Sequence, residues 1–92
     1  MDNLYRQAVD LQNKFRNYID QPNSPIGRIL NSEFQRLEDD VQTKKNKGSL
    51  EARVNGIIRI LNDADGAGVI SDNHVDDLKD RCESMRDQIR KM

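Results

Sequence analysis

The side chains best suited to chemistry are concentrated in residues 63–74, which read Asp-Ala-Asp-Gly-Ala-Gly-Val-Ile-Ser-Asp-Asn-His. Their carboxylate and hydroxyl oxygens are the kind of ligand that hard cations take. The same residues also suit a turn between two helices. Gly66 and Gly68 accept the positive φ that ends a helix, and Ser71 or Asp72 has a side chain that caps the next one. We call this segment the joint, and its residues favour either a turn or a cation site.

The joint resembles the calcium-binding loop of EF-hand proteins. When Asp63 is placed at loop position 1, Asp65 falls at position 3, Gly68 at position 6 and Ser71 at position 9. In EF-hand loops, oxygen ligands and a glycine occupy these positions. The resemblance implies a metal site in which Asp63, Asp65 and Ser71 are ligands.

The joint departs from the EF-hand pattern at two ligand positions. Ala67 stands where a third oxygen ligand is expected, and His74 replaces the bidentate glutamate. Imidazole suits zinc or copper better than calcium. We therefore favour the turn and expect no cofactor, and we keep a metal-responsive regulatory protein as an alternative function.

Little in the sequence supports catalysis. The chain has one histidine and one cysteine. It shows no nucleophile signature and no glycine-rich phosphate loop. Asp39 and Asp40 are adjacent, so on a helix they point in different directions and make a poor acid–base pair. We predict that the protein is not an enzyme.

The spacing of apolar residues predicts the elements that position these side chains. Apolar residues recur three and four apart in four segments, at about 2–20, 25–46, 49–65 and 72–92. This period is typical of amphipathic helices. Short connections favour antiparallel neighbours, so we predict an all-α fold, a small antiparallel four-helix bundle with coiled-coil-like seams. The whole chain, 1–92, forms a single domain in this prediction.

Three residues carry specific expectations about packing. Ile29 belongs to the predicted apolar stripe of the second helix. Gly56 lies inside the third helix, where glycine is unfavourable, and this suggests that a neighbouring helix approaches closely. Cys82 has no cysteine to pair with and falls on an apolar stripe, so we expect it to be a core residue.

The fourth helix is the predicted surface for association. Its apolar residues form a narrow seam that runs to the last residue and includes Met85, Ile89 and Met92. A narrow seam flanked by charges is typical of coiled coils. Because the predicted core is thin, we expect this seam to bind a protein partner or a second copy of the chain.

A basic cluster, Lys44, Lys45 and Lys47, follows the second predicted helix. These lysines either compensate the helix dipole or bind an acidic partner or phosphate. Residues 41–60 contain five basic residues and one acidic residue, whereas residues 62–80 contain six acidic residues and one basic residue. We therefore predict bundle ends of opposite charge.

Composition limits the classes of partner. A formal net charge of −1 makes nucleic acid an unlikely partner. A nucleic-acid accessory role is kept as a further alternative because the 44–59 region is locally basic. The chain begins without a signal peptide and has no segment long enough to span a membrane, which predicts a cytoplasmic protein. The main prediction is a non-enzymatic helical protein-interaction module: an adaptor, a chaperone-like subunit or an inhibitor.

Overall fold

Four helices account for most of the chain. The computed structural model describes residues 2–92, so Met1 of the predicted domain lies outside the described residues. The helices are α1 (Asp2–Tyr18), α2 (Pro25–Gln42), α3 (Lys47–Ala64) and α4 (Asp72–Arg90). The predicted all-α class is confirmed.

The four helices form a closed ring. The helix α1 packs against α2 and α4, and α3 packs against the same two helices from the opposite side. The bundle measures 35 × 19 × 18 Å. Short connections make consecutive helices antiparallel, which agrees with the predicted four-helix bundle.

The core consists of apolar side chains that recur at helical spacing on all four helices. Within it, Phe15 of α1 contacts Phe34 of α2, with ring centroids 5.1 Å apart. Cys82 is fully buried, as predicted, and burial raises the pKa of its thiol to about 12. The buried apolar residues of the four helices are Leu4, Ala8, Leu11, Phe15, Leu30, Phe34, Leu37, Val41, Leu50, Val54, Ile57, Leu61, Ala64, Val75, Leu78, Cys82, Met85 and Ile89.

The turn between α2 and α3 differs from the prediction. The helix α2 ends at Gln42, not near residue 46, and α3 begins at Lys47, not at Ser49. The reason is the Asn46 side chain, whose Oδ1 accepts a hydrogen bond from the backbone N–H of Ser49 at 2.8 Å. This cap starts α3 earlier than a serine cap would. Gly48 therefore lies in the first turn of α3.

The start of α2 follows the sequence prediction. The Ser24 hydroxyl accepts a hydrogen bond from the backbone N–H of Gly27 at 3.0 Å, and Pro25 is the first helical residue. Proline is favoured there because the N–H that it lacks would have no intrahelical partner.

The joint does more than connect α3 to α4. Ile70 forms an isolated antiparallel bridge with Ile19, in the turn between α1 and α2. The backbone N–H of Asp20 donates to the carbonyl of Val69 at 2.9 Å. Val69 and Ile70 are buried in the core. The two turns at this end of the bundle therefore support each other.

The two bundle ends carry turns of opposite charge. The basic turn, residues 43–47, and the joint lie at opposite ends of α3, which is about 27 Å long at 1.5 Å per residue. Lys44 and Lys45 are exposed in the first, and Asp63 and Asp65 are exposed in the second. Within residues 2–92, no helix has the length and apolarity needed to cross a membrane.

Candidate interaction surface

The predicted metal ligands lie at both edges of the joint. Asp63 is in the last turn of α3, Asp65 follows that helix, and Ser71 precedes α4; all three are exposed. A hydrogen bond with Asp72, reinforced by repulsion between the two carboxylates, raises the pKa of Asp65. Among the side chains of residues 3–92, no three histidine, cysteine or acidic groups come together in a cluster that could hold a metal ion.

The glycines of the joint have the turn geometry that their positions favour. Gly66 and Gly68 both have φ of +79°. The backbone N–H of Gly66 donates to Oδ1 of Asp72 at 3.3 Å. This contact joins the turn to the first residue of α4.

His74 lies in a side-chain network between α1 and α4. Its ring stacks on Tyr18, with centroids 4.0 Å apart and planes 3° apart. The Tyr18 hydroxyl donates to Asp77 at 2.8 Å, and this bond is the main cause of a lowered pKa of Asp77 and a raised pKa of Tyr18. Arg81 then bridges Asp77 and Asp10. The network joins two packed helices, which gives these polar residues a structural role.

The predicted seam of α4 is closed within the bundle. Met85 and Ile89 are fully buried, whereas Met92 is exposed. The expectation that Met85 and Ile89 meet a partner directly needs correction, because the other helices of the same chain already cover them. A partner reaches them only if the bundle opens.

The predicted basic cluster is divided between two helix ends. Lys44 and Lys45 follow α2, where positive charge is favourable, but Lys47 is the first residue of α3, where the helix dipole is also positive. The first turn of α3 contains no acidic residue. Lys44 has φ of 58°, an uncommon conformation for a residue with a side chain. Dipole compensation therefore explains only two of the three lysines.

Arg53 of α3 forms ion pairs with two acidic residues of α2. Its guanidinium contacts Glu33 at 2.7 Å and Asp40 at 3.0 Å. These hydrogen bonds raise the pKa of Arg53, with the bond to Asp40 the larger cause. Beside this ion pair is a surface cavity of about 490 Å³, which Lys45 and Ser49 also line.

Part of the surface along the α2–α3 contact is apolar and exposed to solvent. The sequence predicts that Ile29 belongs to the buried stripe of α2. That prediction is wrong, because Ile29 is 48% exposed. Ile29 lies one turn before Glu33, and Ile60 lies two turns after Arg53, so helical spacing places both beside the contact between these helices. Ile60 is half-buried against the core.

Gly56 lies on the same side of α3, between Arg53 and Ile60. A Cβ atom built at Gly56 has no heavy atom within 4 Å. The predicted close approach of a neighbouring helix is therefore wrong within this bundle. Helical spacing places these residues along one face of the α2–α3 contact, next to the cavity that Asp40, Lys45, Ser49, Ala52 and Arg53 line. We name this face the α2–α3 groove, and its residues are Ile29, Glu33, Asp40, Ser49, Arg53, Gly56 and Ile60.

The groove is the surface that sequence reasoning missed. Two signals pointed to it: Ile29 lies at the edge of its apolar stripe, and Gly56 interrupts a helix without a turn. Neither signal showed that the two residues lie along the same helix–helix contact, because that depends on how α2 and α3 pack. Comparison with protein-family models, curated proteins and solved structures finds no match to this chain.

Proposed function

We propose that this protein is a non-enzymatic interaction module whose α2–α3 groove receives an amphipathic helix of a protein partner. Two observations support the proposal: a Cβ atom at Gly56 has open space around it, and Ile29, which helical spacing places along the same α2–α3 contact, is exposed. Small residues allow two helices to approach closely, and partner helices commonly insert apolar side chains into such grooves. The groove thus combines an apolar anchor point with room for a side chain.

The charges around the groove favour a partner helix with acidic residues at one end. The exposed basic turn, with Lys44, Lys45 and Lys47, lies at the end of α3 that precedes Gly56. Gly56 lies nine positions after Lys47, which is about 14 Å along the helix axis. A partner that places an apolar side chain at Gly56 and acidic side chains two to three turns away matches both features.

Gly56→Gln tests this proposal because it separates binding from folding. Glutamine is a better helix former than glycine, and a Cβ atom at Gly56 meets nothing within 4 Å, so we expect stability to be maintained or raised. The same side chain fills the groove and blocks a partner. Asn13→Gln is a matched control at an exposed position of α1.

Site-specific photo-crosslinking in native lysate measures the effect. A photoreactive amino acid replaces Ile29 in the groove, or Gln35 at an exposed position of α2 away from it. We expect a discrete crosslinked partner from position 29 that is absent from position 35, lost with Gly56→Gln and retained with Asn13→Gln. A crosslink of the chain to itself, confirmed by sedimentation, identifies the partner as a second copy. Equal crosslinking from both positions, or a Gly56→Gln variant that binds like the parent, contradicts the proposal.

A further inference from the structure

A second concave surface lies on the other side of α2, between the end of α1 and the start of α2. It has a volume of about 470 Å³, within the range of about 300–1,000 Å³ that is usual for small-molecule sites. Its lining contains no acidic residue. We call it the α1–α2 cavity, and the residues that matter for its chemistry are Phe15, Arg16, Ile19, Gly27, Arg28 and Asn31.

The cavity combines two cationic groups with an apolar wall. Among the side chains of residues 3–92, neither Arg16 nor Arg28 has a carboxylate within ion-pair distance, so neither charge is already neutralised by an acidic residue. Phe15 and Ile19 also line the cavity and supply apolar surface. A ligand that satisfies both features has an anionic group attached to an apolar body.

A buried glutamine positions one of the two guanidinium groups. Gln12 is only 6% exposed. With its amide oriented to satisfy its neighbours, its oxygen accepts a hydrogen bond from Nη2 of Arg16 at 3.2 Å and its nitrogen donates to Glu38 at 2.5 Å. Holding a long side chain in place before binding lowers the entropy that binding costs. Arg16 therefore lies at the cavity wall as a partly ordered donor.

The start of α2 forms one wall of the cavity, at Gly27. At Gly27, a Cβ atom would lie 2.6 Å from the carbonyl oxygen of Gln21 and 3.1 Å from Cδ1 of Ile19. The tight turn that precedes α2 therefore requires glycine at this position. The positive end of the α2 dipole is at the same place, which adds to the attraction for an anion.

We propose that the α1–α2 cavity binds a small carboxylate that carries an aromatic or branched apolar group. A guanidinium group matches a carboxylate with two parallel hydrogen bonds, and the amide of Asn31 offers a further donor. The apolar wall distinguishes such a ligand from inorganic anions. This site is separate from the α2–α3 groove, so the test of one proposal does not affect the other.

Amide chemical shifts of the whole protein test the proposal with four probes. The probes are 3-phenylpropanoate, its uncharged amide, acetate and inorganic phosphate. We expect saturable shifts at residues 15–31 with 3-phenylpropanoate, at millimolar concentration or below, and much weaker effects with the other three. Equal binding of the amide would show that charge is not recognised, and equal binding of acetate or phosphate would show that the apolar wall is not used; each result overturns the proposal. Absence of saturable shifts with 3-phenylpropanoate also overturns it.

Arginine variants locate the site. Arg16→Gln combined with Arg28→Gln should weaken 3-phenylpropanoate binding by about tenfold or more, because each removes a charge-assisted hydrogen bond. Arg36→Gln is the matched control, since Arg36 is exposed on α2 but does not line the cavity. All three arginines are exposed, and a circular dichroism spectrum checks that each variant is folded. Unchanged affinity in the double variant, or equal weakening by Arg36→Gln, contradicts the assignment.

Discussion

Replacing Gly56 by alanine should stabilise this protein. Glycine in a helix interior is less favourable than alanine by about 0.8–1.0 kcal/mol, because it loses more backbone freedom on folding. A new Cβ atom at Gly56 meets nothing within 4 Å, so no steric term opposes this gain and no packing term adds to it. We therefore expect the free energy of unfolding to rise by about 1 kcal/mol.

Urea denaturation measures this change directly. With a slope of about 1–3 kcal/mol per molar urea for small proteins, the midpoint should rise by about 0.3–1 M while the slope stays constant. In a thermal scan, the same change should raise the melting temperature by about 4–8 °C. A change in slope would indicate an altered unfolded or native state.

Gly27→Ala is the matched comparison, because it makes the same chemical change at another glycine of a helix. Its Cβ atom would lie 2.6 Å from the backbone carbonyl of Gln21. Backbone moves less easily than the end of a side chain, so this variant should lower stability although the helix propensity improves. Destabilisation by Gly56→Ala, or stabilisation by Gly27→Ala, would refute the assignment of space at these two positions.

Three further predictions concern the core, the network between α1 and α4, and the joint. Cys82→Asp should destabilise the protein by about 3–5 kcal/mol, since it places an unpaired charge in the core, and Cys82→Ala should cost less; urea denaturation compares the two. The pKa of Asp77 is lower in the folded protein than its ordinary value of 3.8. Its ionised carboxylate therefore stabilises the fold at pH values above 3.8, and this contribution is lost as the pH falls through the lower pKa of the folded state. Tyr18→Phe removes the main cause of that shift, so stability should fall less steeply below about pH 4. At millimolar calcium, the melting temperature and the amide shifts of the joint should remain unchanged.

Each of these results has a clear contrary outcome. A Cys82→Asp variant as stable as Cys82→Ala would place position 82 outside the core. If the Tyr18→Phe variant has the same acid denaturation as the parent, the Tyr18–Asp77 hydrogen bond is not the source of the lowered pKa of Asp77. Saturable calcium-dependent shifts at residues 63–74 would favour the metal-responsive alternative.

The sequence alone determined the number and type of the elements. Apolar residues three and four apart specify helices because helical geometry places them on one face. Ser24 and Pro25 specify where α2 begins through local capping, and Gly66 and Gly68 specify a turn through local backbone freedom. These features depend on near neighbours in the chain, so residue types suffice to predict them.

The surfaces were decided by tertiary packing. Met85, Ile89 and Ile29 are all apolar residues on helices, yet two of them are buried and one is exposed, because exposure depends on which helices cover each face. The open space at Gly56 and the pairing of Ile19 with Ile70 likewise depend on residues that are distant in the chain. Periodicity shows that a helix has an apolar face; only the packing of the four helices shows which part of that face remains available to a partner.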